Sequence, residues 1–137
     1  MINIKHILCP TDLSPHSMEG VRYALALARA QQAELTLLHC TDDVDDGEFK
    51  LAMSVSEYLD PSDSGWRFVI AHAQDVGEEI IAQAQAANAG LIVMRSRRRP
   101  HRAALLGSTA ESVCRNAPCP VLVMHHDQRE FVTMSCA

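Results

Sequence analysis

Apolar residues along this chain follow two different periods. Runs at 6–9, 35–40, 66–71, 91–94 and 121–124 are apolar at consecutive or alternate positions, and the stretches between them place apolar residues three or four apart. Strand-like runs alternating with helix-period segments predict a parallel sheet covered by helices on both faces. The first strand, 6–9, leads into a helix that Ser14 can cap and Pro15 can open, with Met18, Val21, Leu25 and Ala28 on its buried face. The second run, 35–40, is apolar on both faces, as a strand covered from two sides must be.

Residues 48–59 fit a short amphipathic helix through Ala52, Val55 and Leu59, stopped by Pro61. The run 66–71 alternates Trp66, Phe68 and Ile70 against Arg67, which suits a strand near the sheet edge. Asp75 with Glu78 makes a capping-box-like start to a helix burying Ile80, Ile81, Ala84 and Ala87 and ending at Gly90. A fully apolar, central strand follows at 91–94. Ser108 and Glu111 repeat the cap pattern for a last helix that buries Ala110, Val113, Cys114 and Ala117 and stops at Asn116 and Pro118, before a fifth strand at 121–124. The expected organisation is one domain, 1–126, with a polar C-terminal tail, 127–137.

For strand order 3-2-1-4-5 the reversal falls between strands 1 and 4, and ligands of such open sheets sit beyond the carboxyl ends of the strands at that point. The loops 9–12 and 94–98 would then flank the site.

At 137 residues the chain has room for one core, and 47% apolar with 21% charged residues suits a globular protein. No apolar run is long enough to span a membrane, so no membrane partner is expected. The opening residues lack a cleavable signal pattern, so a cytoplasmic protein with five reduced cysteines is expected. Charge is segregated. Residues 42–63 carry eight acidic side chains against Lys50, and 95–102 carry Arg95, Arg97, Arg98, Arg99 and Arg102 with no acid. Asp42, Asp43, Asp45 and Asp46 could neutralise some of these arginines; the alternative is two hydrated loops. The rest of the chain is acidic and no aromatic residue lies among the arginines, so a nucleic-acid partner is not expected. Cys9, His39, Cys40 and His72 could approach one sheet edge, but no CxxC or HExxH spacing supports a metal site. No general base is evident beyond Asp12, so no catalytic residue is assigned.

The motifs 7–14 (Ile-Leu-Cys-Pro-Thr-Asp-Leu-Ser), 37–40, 91–94 and the closing block 105–113 with 117–123 resemble the universal stress protein family over nearly the whole chain. The resemblance implies a five-stranded parallel open sheet, order 3-2-1-4-5, of the adenine nucleotide alpha hydrolase-like kind. It also implies a small non-enzymatic regulator in stress responses, pairing as a homodimer through the fifth strand. In the family's ATP-binding branch the fourth strand runs into a glycine, two residues, a second glycine, nine residues, then Gly-Ser or Gly-Thr. Here Arg95 and Arg98 stand at the two glycine positions and eight residues separate Arg98 from Gly107.

Carried over by position, Asp12 matches the family's ribose or adenine contact, with Pro10, Thr11 and Cys40 lining the base pocket. Gly107, Ser108 and Thr109 match its phosphate contacts, and Met94, Arg95 and Arg98 match in position. Side chains in place of glycine resist left-handed backbone and fill the volume a phosphate needs. The expectation is therefore a chain that does not hold ATP in the family's usual pose. The alternatives are an adenine-nucleotide switch or weak ATPase, with ATP or another adenine nucleotide as cofactor, and a docking module that takes a small phosphate-bearing ligand or an acidic partner through residues 95–102.

Overall fold

A computed structural model describes residues 3–12, 14–41, 55–56, 65–96 and 107–124. In chain order these form β1 (His6–Pro10), α1 (Pro15–Gln31), β2 (Glu34–Thr41), β3 (Trp66–His72), α2 (Val76–Ala86), β4 (Leu91–Arg95), α3 (Ser108–Asn116) and β5 (Val121–Met124). All pairings are parallel, as the alternation of strand and helix periods predicts, and the sheet order is β3-β2-β1-β4-β5, as the family resemblance implies. The register places Leu8 beside Thr36 and Ile92, and Arg95 beside Met124.

Successive side chains of a strand leave on opposite faces, and here the two faces hold two separate cores. Ile7, Cys9, Leu35, Leu37, Leu91 and Val93 pack with Met18, Val21, Leu25 and Ala28 of α1. Leu8, Leu38, Ile92 and Met94 pack on the other face with Ile80 and Ala84 of α2 and Ala110 and Val113 of α3. All four residues assigned to the buried face of α1 are buried. Ser14 caps that helix by accepting from the Ser17 amide at 3.1 Å, with Pro15 in its first turn.

Several expectations need correction. The helix beginning after Asp75 does start on that cap, with Asp75 Oδ1 accepting from the Glu78 amide at 3.0 Å. It ends at Ala86, not Gly90, because Asn88 takes the left-handed conformation (φ 52°) and the Ala89 amide turns back to the Ala84 carbonyl. Asn is among the few residues that tolerate this conformation. Ile81 and Ala87 are half-buried, and Cys114 is exposed on the outer side of α3. Of the helix expected at 48–59, Val55 and Ser56 are helical and Val55 is fully buried on the α1 side; the remainder lies outside the described residues. So do the acidic run 42–46, Arg97 to Arg102 and the tail, and with them the expected pairing of acids and arginines.

Near the amino ends of the strands, on the α2/α3 face, buried Thr36 links two neighbours. Arg67 Nε donates to its hydroxyl at 3.2 Å, and the same hydroxyl shares a hydrogen bond with His6 Nε2 at 2.8 Å. His6 Nδ1 lies 3.6 Å from Glu34 Oε2. Burial, and secondly the Arg67 charge, hold the His6 pKa below its ordinary 6.5, with Glu34 opposing. The unfolded chain therefore takes up this proton more readily, so His6 contributes stability above about pH 6.5 that is lost as pH falls below that value. The urea midpoint is expected to drop between pH 7 and pH 5, and the drop to shrink in His6→Gln; an identical pH profile in that variant would show that His6 does not supply this dependence.

Candidate functional site

A cavity of about 530 Å³ opens beyond the carboxyl ends of the strands, where the strand order reverses between β1 and β4. That size suits a small organic ligand. Pro10, Thr11 and Asp12 form one wall, Leu38 and Cys40 the end of β2, and Val76 and Ile80 of α2 an apolar flank. Met94, Arg95 and Ser96 close it from β4, and Gly107, Ser108, Thr109 and Ala110 bring the start of α3 to its rim. Every residue expected from sequence thus lines one cavity, except Arg98, which lies outside the described residues.

The wall made by the first loop is held by its own hydrogen bonds. The Thr11 amide donates to the Leu38 carbonyl at 2.8 Å, and the Thr11 carbonyl meets His39 Nδ1 at 3.0 Å. A carbonyl only accepts, so Nδ1 carries the proton. Asp12 Oδ1 accepts from the Ser14 amide at 2.9 Å and from the Ser17 hydroxyl, which in turn accepts from the Asp12 amide at 3.1 Å. These bonds tie Asp12 to the start of α1. Cys40 contributes an inert thiol, pushed up to about 11 by burial and by nearby Glu79. Among the described residues no cluster of three or more His, Cys, Asp or Glu is arranged to hold a metal ion.

The rim at α3 differs from its sequence expectation. Ser108 does not cap the helix: Gly107 occupies the cap in extended backbone (φ −68°, ψ 164°), and among the described residues no side chain caps the first turn. Ser108 is instead the exposed first residue of α3, next to the first-turn amides of the helix. Such amides favour an anion. The Gly107 amide is engaged elsewhere, donating to the buried Ser96 hydroxyl at 2.8 Å. Glu111, expected as part of a cap, pairs with Arg115 one turn on at 2.8 Å.

Arg95 does not fill the cradle as anticipated. Its backbone is not among the described non-glycine residues with positive φ, which are Gln32 and Asn88, so the glycine position has taken a side chain without left-handed strain. Strand alternation sends that side chain to the α1 face, where Nη1 lies 3.0 Å from Glu19 Oε2. The side chain is 6% exposed although the residue as a whole is half-buried, so Arg95 presents backbone to the cavity. Sequence reasoning missed Glu19 as the partner, and it missed Ser17, Leu38, Val76, Ile80 and Ala110 as lining residues. Ser96 lies in the loop expected to flank the site, two residues after Met94 and on its face.

Comparison with known proteins adds an independent line. The model of the universal stress protein family matches residues 3–65 and 67–125. A universal stress protein of Methanocaldococcus jannaschii is 30% identical, in an alignment spanning 92% of this chain and 85% of that protein. A universal stress protein solved in complex with cAMP has the same fold, with a TM-score of 0.75 at 19% identity over 90% of this chain and 98% of the other. UspA from Lactobacillus plantarum superposes with a TM-score of 0.74 at 25% identity, covering 90% and 99% of the two chains. With the sheet order, the cavity at its reversal and these matches in agreement, the chain belongs to the universal stress protein family.

Proposed function

We propose that this protein is a non-enzymatic regulator in stress responses whose cavity takes an adenine nucleotide bearing a single phosphate, and that ATP is not held in the glycine-loop pose. The observation that carries this reading is the convergence of the described sequence-assigned residues on one cavity with an apolar flank at one end and the start of α3 at the other. The base packs among Leu38, Cys40, Val76 and Ile80, and the ribose lies against the loop at Asp12. One phosphate meets the amides of Ser108 and Thr109 and the Ser108 hydroxyl. The Gly107 amide is engaged with Ser96 and the Arg95 guanidinium with Glu19, so neither reaches further phosphates. That a universal stress protein of the same fold binds cAMP, an adenine compound with one phosphate, supports the reading.

No proton-transfer role is proposed for Asp12, whose Oδ1 is tied to Ser14 and Ser17. Assembly as a homodimer through β5 is part of the proposal: β5 is an edge strand with Val121, Leu122 and Val123 only half-covered, and a second copy would protect it. Among the described residues no helix is long and apolar enough to cross a membrane. A cytoplasmic location and the absence of nucleic-acid binding complete the proposal. A docking module built on the arginines is disfavoured at Arg95, which Glu19 already neutralises.

Calorimetry on the whole chain with AMP, cAMP and magnesium ATP tests the reading. Micromolar binding of AMP or cAMP is expected, with ATP at least about tenfold weaker, a difference of about 1.4 kcal/mol. Loss of the Ser108 hydroxyl in Ser108→Ala should weaken AMP about tenfold, as for a hydrogen bond to a charged group. ATP bound as tightly as AMP, or no binding of any of the three at millimolar concentration, would overturn it.

A further inference from the structure

Arg95 is the last residue of β4 and lies under α1. A Cβ placed on Gly20 would lie 3.7 Å from the Arg95 Cβ and equally far from its backbone nitrogen, so the helix passes close over the strand end at a residue without a side chain. The guanidinium emerges beside the preceding helical residue, Glu19, whose carboxylate is 47% exposed. Nη1 is buried and its approach to Glu19 lacks the angle of a hydrogen bond; among the described residues it has no hydrogen-bond acceptor. Among the described residues Glu19 is the electrostatic partner of this buried cation, so the placement of the strand end depends on it.

The next residue is Ser96, and it joins three parts of the fold. Its amide donates to the Met124 carbonyl at 2.8 Å, tying it to β5, and its hydroxyl accepts from the Gly107 amide at 2.8 Å, tying it to the start of α3. Through the preceding peptide it is coupled to Arg95 and thereby to α1. We propose that the Arg95–Glu19 pair is a positioning device for the anion end of the cavity: it locks the end of β4 against α1, keeps Ser96 closed on the Gly107 amide, and so leaves Ser108 and Thr109 as the donors offered to a ligand. Arg95 is then a positioning residue that determines how many phosphates the site accepts, without touching them. This rests on the nucleotide reading for its consequence, and on the geometry alone for its mechanism.

The experiment separates the two. Hydrogen exchange of the Gly107 amide is followed by NMR in the ligand-free whole chain, in Glu19→Gln and Arg95→Met. Glu19 is half-exposed, so its variant decides the matter if Arg95→Met does not fold. Gly107 exchange is expected to rise about fivefold or more, with the Leu8 amide in the middle strand unchanged, as local opening predicts. Arg95→Lys, which keeps the charge, should fall between. The same variants should narrow the preference for AMP over ATP, since releasing the Gly107 amide restores a donor for further phosphates. Gly107 exchange within twofold of the parent, or a rise matched at Leu8, overturns the device. Faster Gly107 exchange in a protein that binds none of the nucleotides would keep the device and overturn the nucleotide reading instead.

Discussion

Replacing Leu8 with alanine is expected to lower the free energy of unfolding by about 2–5 kcal/mol, the range for emptying a buried leucine site that cannot collapse. Leu8 is fully buried in β1, the middle strand, paired on one side with Thr36 and on the other with Ile92. Its side chain belongs to the core beneath the cavity, with Leu38, Ile80, Ala84 and Ile92. Neighbours on a sheet with covered faces have little room to close a hole, so the upper part of the range is expected. Small domains have about 5–15 kcal/mol in total, so the urea midpoint should fall by a large fraction. Val76→Ala is the contrasting case: this residue is 36% exposed, and the change should stay within about 0.5 kcal/mol. A Leu8→Ala loss below about 1 kcal/mol would contradict the packing described for this face.

The cysteines should differ in reactivity by orders of magnitude. Burial pushes the Cys9 thiol up to about 12 and, aided by Glu79, the Cys40 thiol up to about 11. At pH 8 the thiolate fractions implied are about one in ten thousand for Cys9 and one in a thousand for Cys40. Cys9 is in addition fully buried, and Cys114 is exposed on α3. Alkylation with iodoacetamide at pH 8, followed by mass spectrometry of peptides, should modify Cys114 about a hundredfold or more faster than Cys9 or Cys40. Cys40 modified as quickly as Cys114 would mean that the cavity wall is far more open than the structure has it.

Much of the fold was readable because period and register are properties of short segments. The five apolar runs became the five strands, the carboxyl-end rule then placed Pro10, Thr11 and Asp12 opposite Met94, and the family resemblance added Gly107. Caps were readable where a side chain makes them, as at Ser14 and Asp75, and misread where the backbone itself decides. At Gly107 an extended glycine took the cap that Ser108 was expected to supply, and at Asn88 a left-handed residue ended α2 before Gly90 could. Cys114 fits an apolar spacing, yet the buried residues of α3 are Ala110 and Val113, and Cys114 is exposed. The Arg95–Glu19 contact joins residues 76 positions apart, across a helix–strand packing that no local pattern encodes.

Which side of the sheet a residue serves is a matter of odd and even. In β4 the odd positions 91, 93 and 95 belong to α1 and the even ones, 92 and 94, to the cavity side. One extra residue ahead of Leu91, with the pairing kept, would carry the guanidinium into the cavity and Met94 out of it, because a slip by one reverses every side chain. Two chains spelling the same letters one step out of phase would therefore present a neutral thioether or a cation to the same ligand.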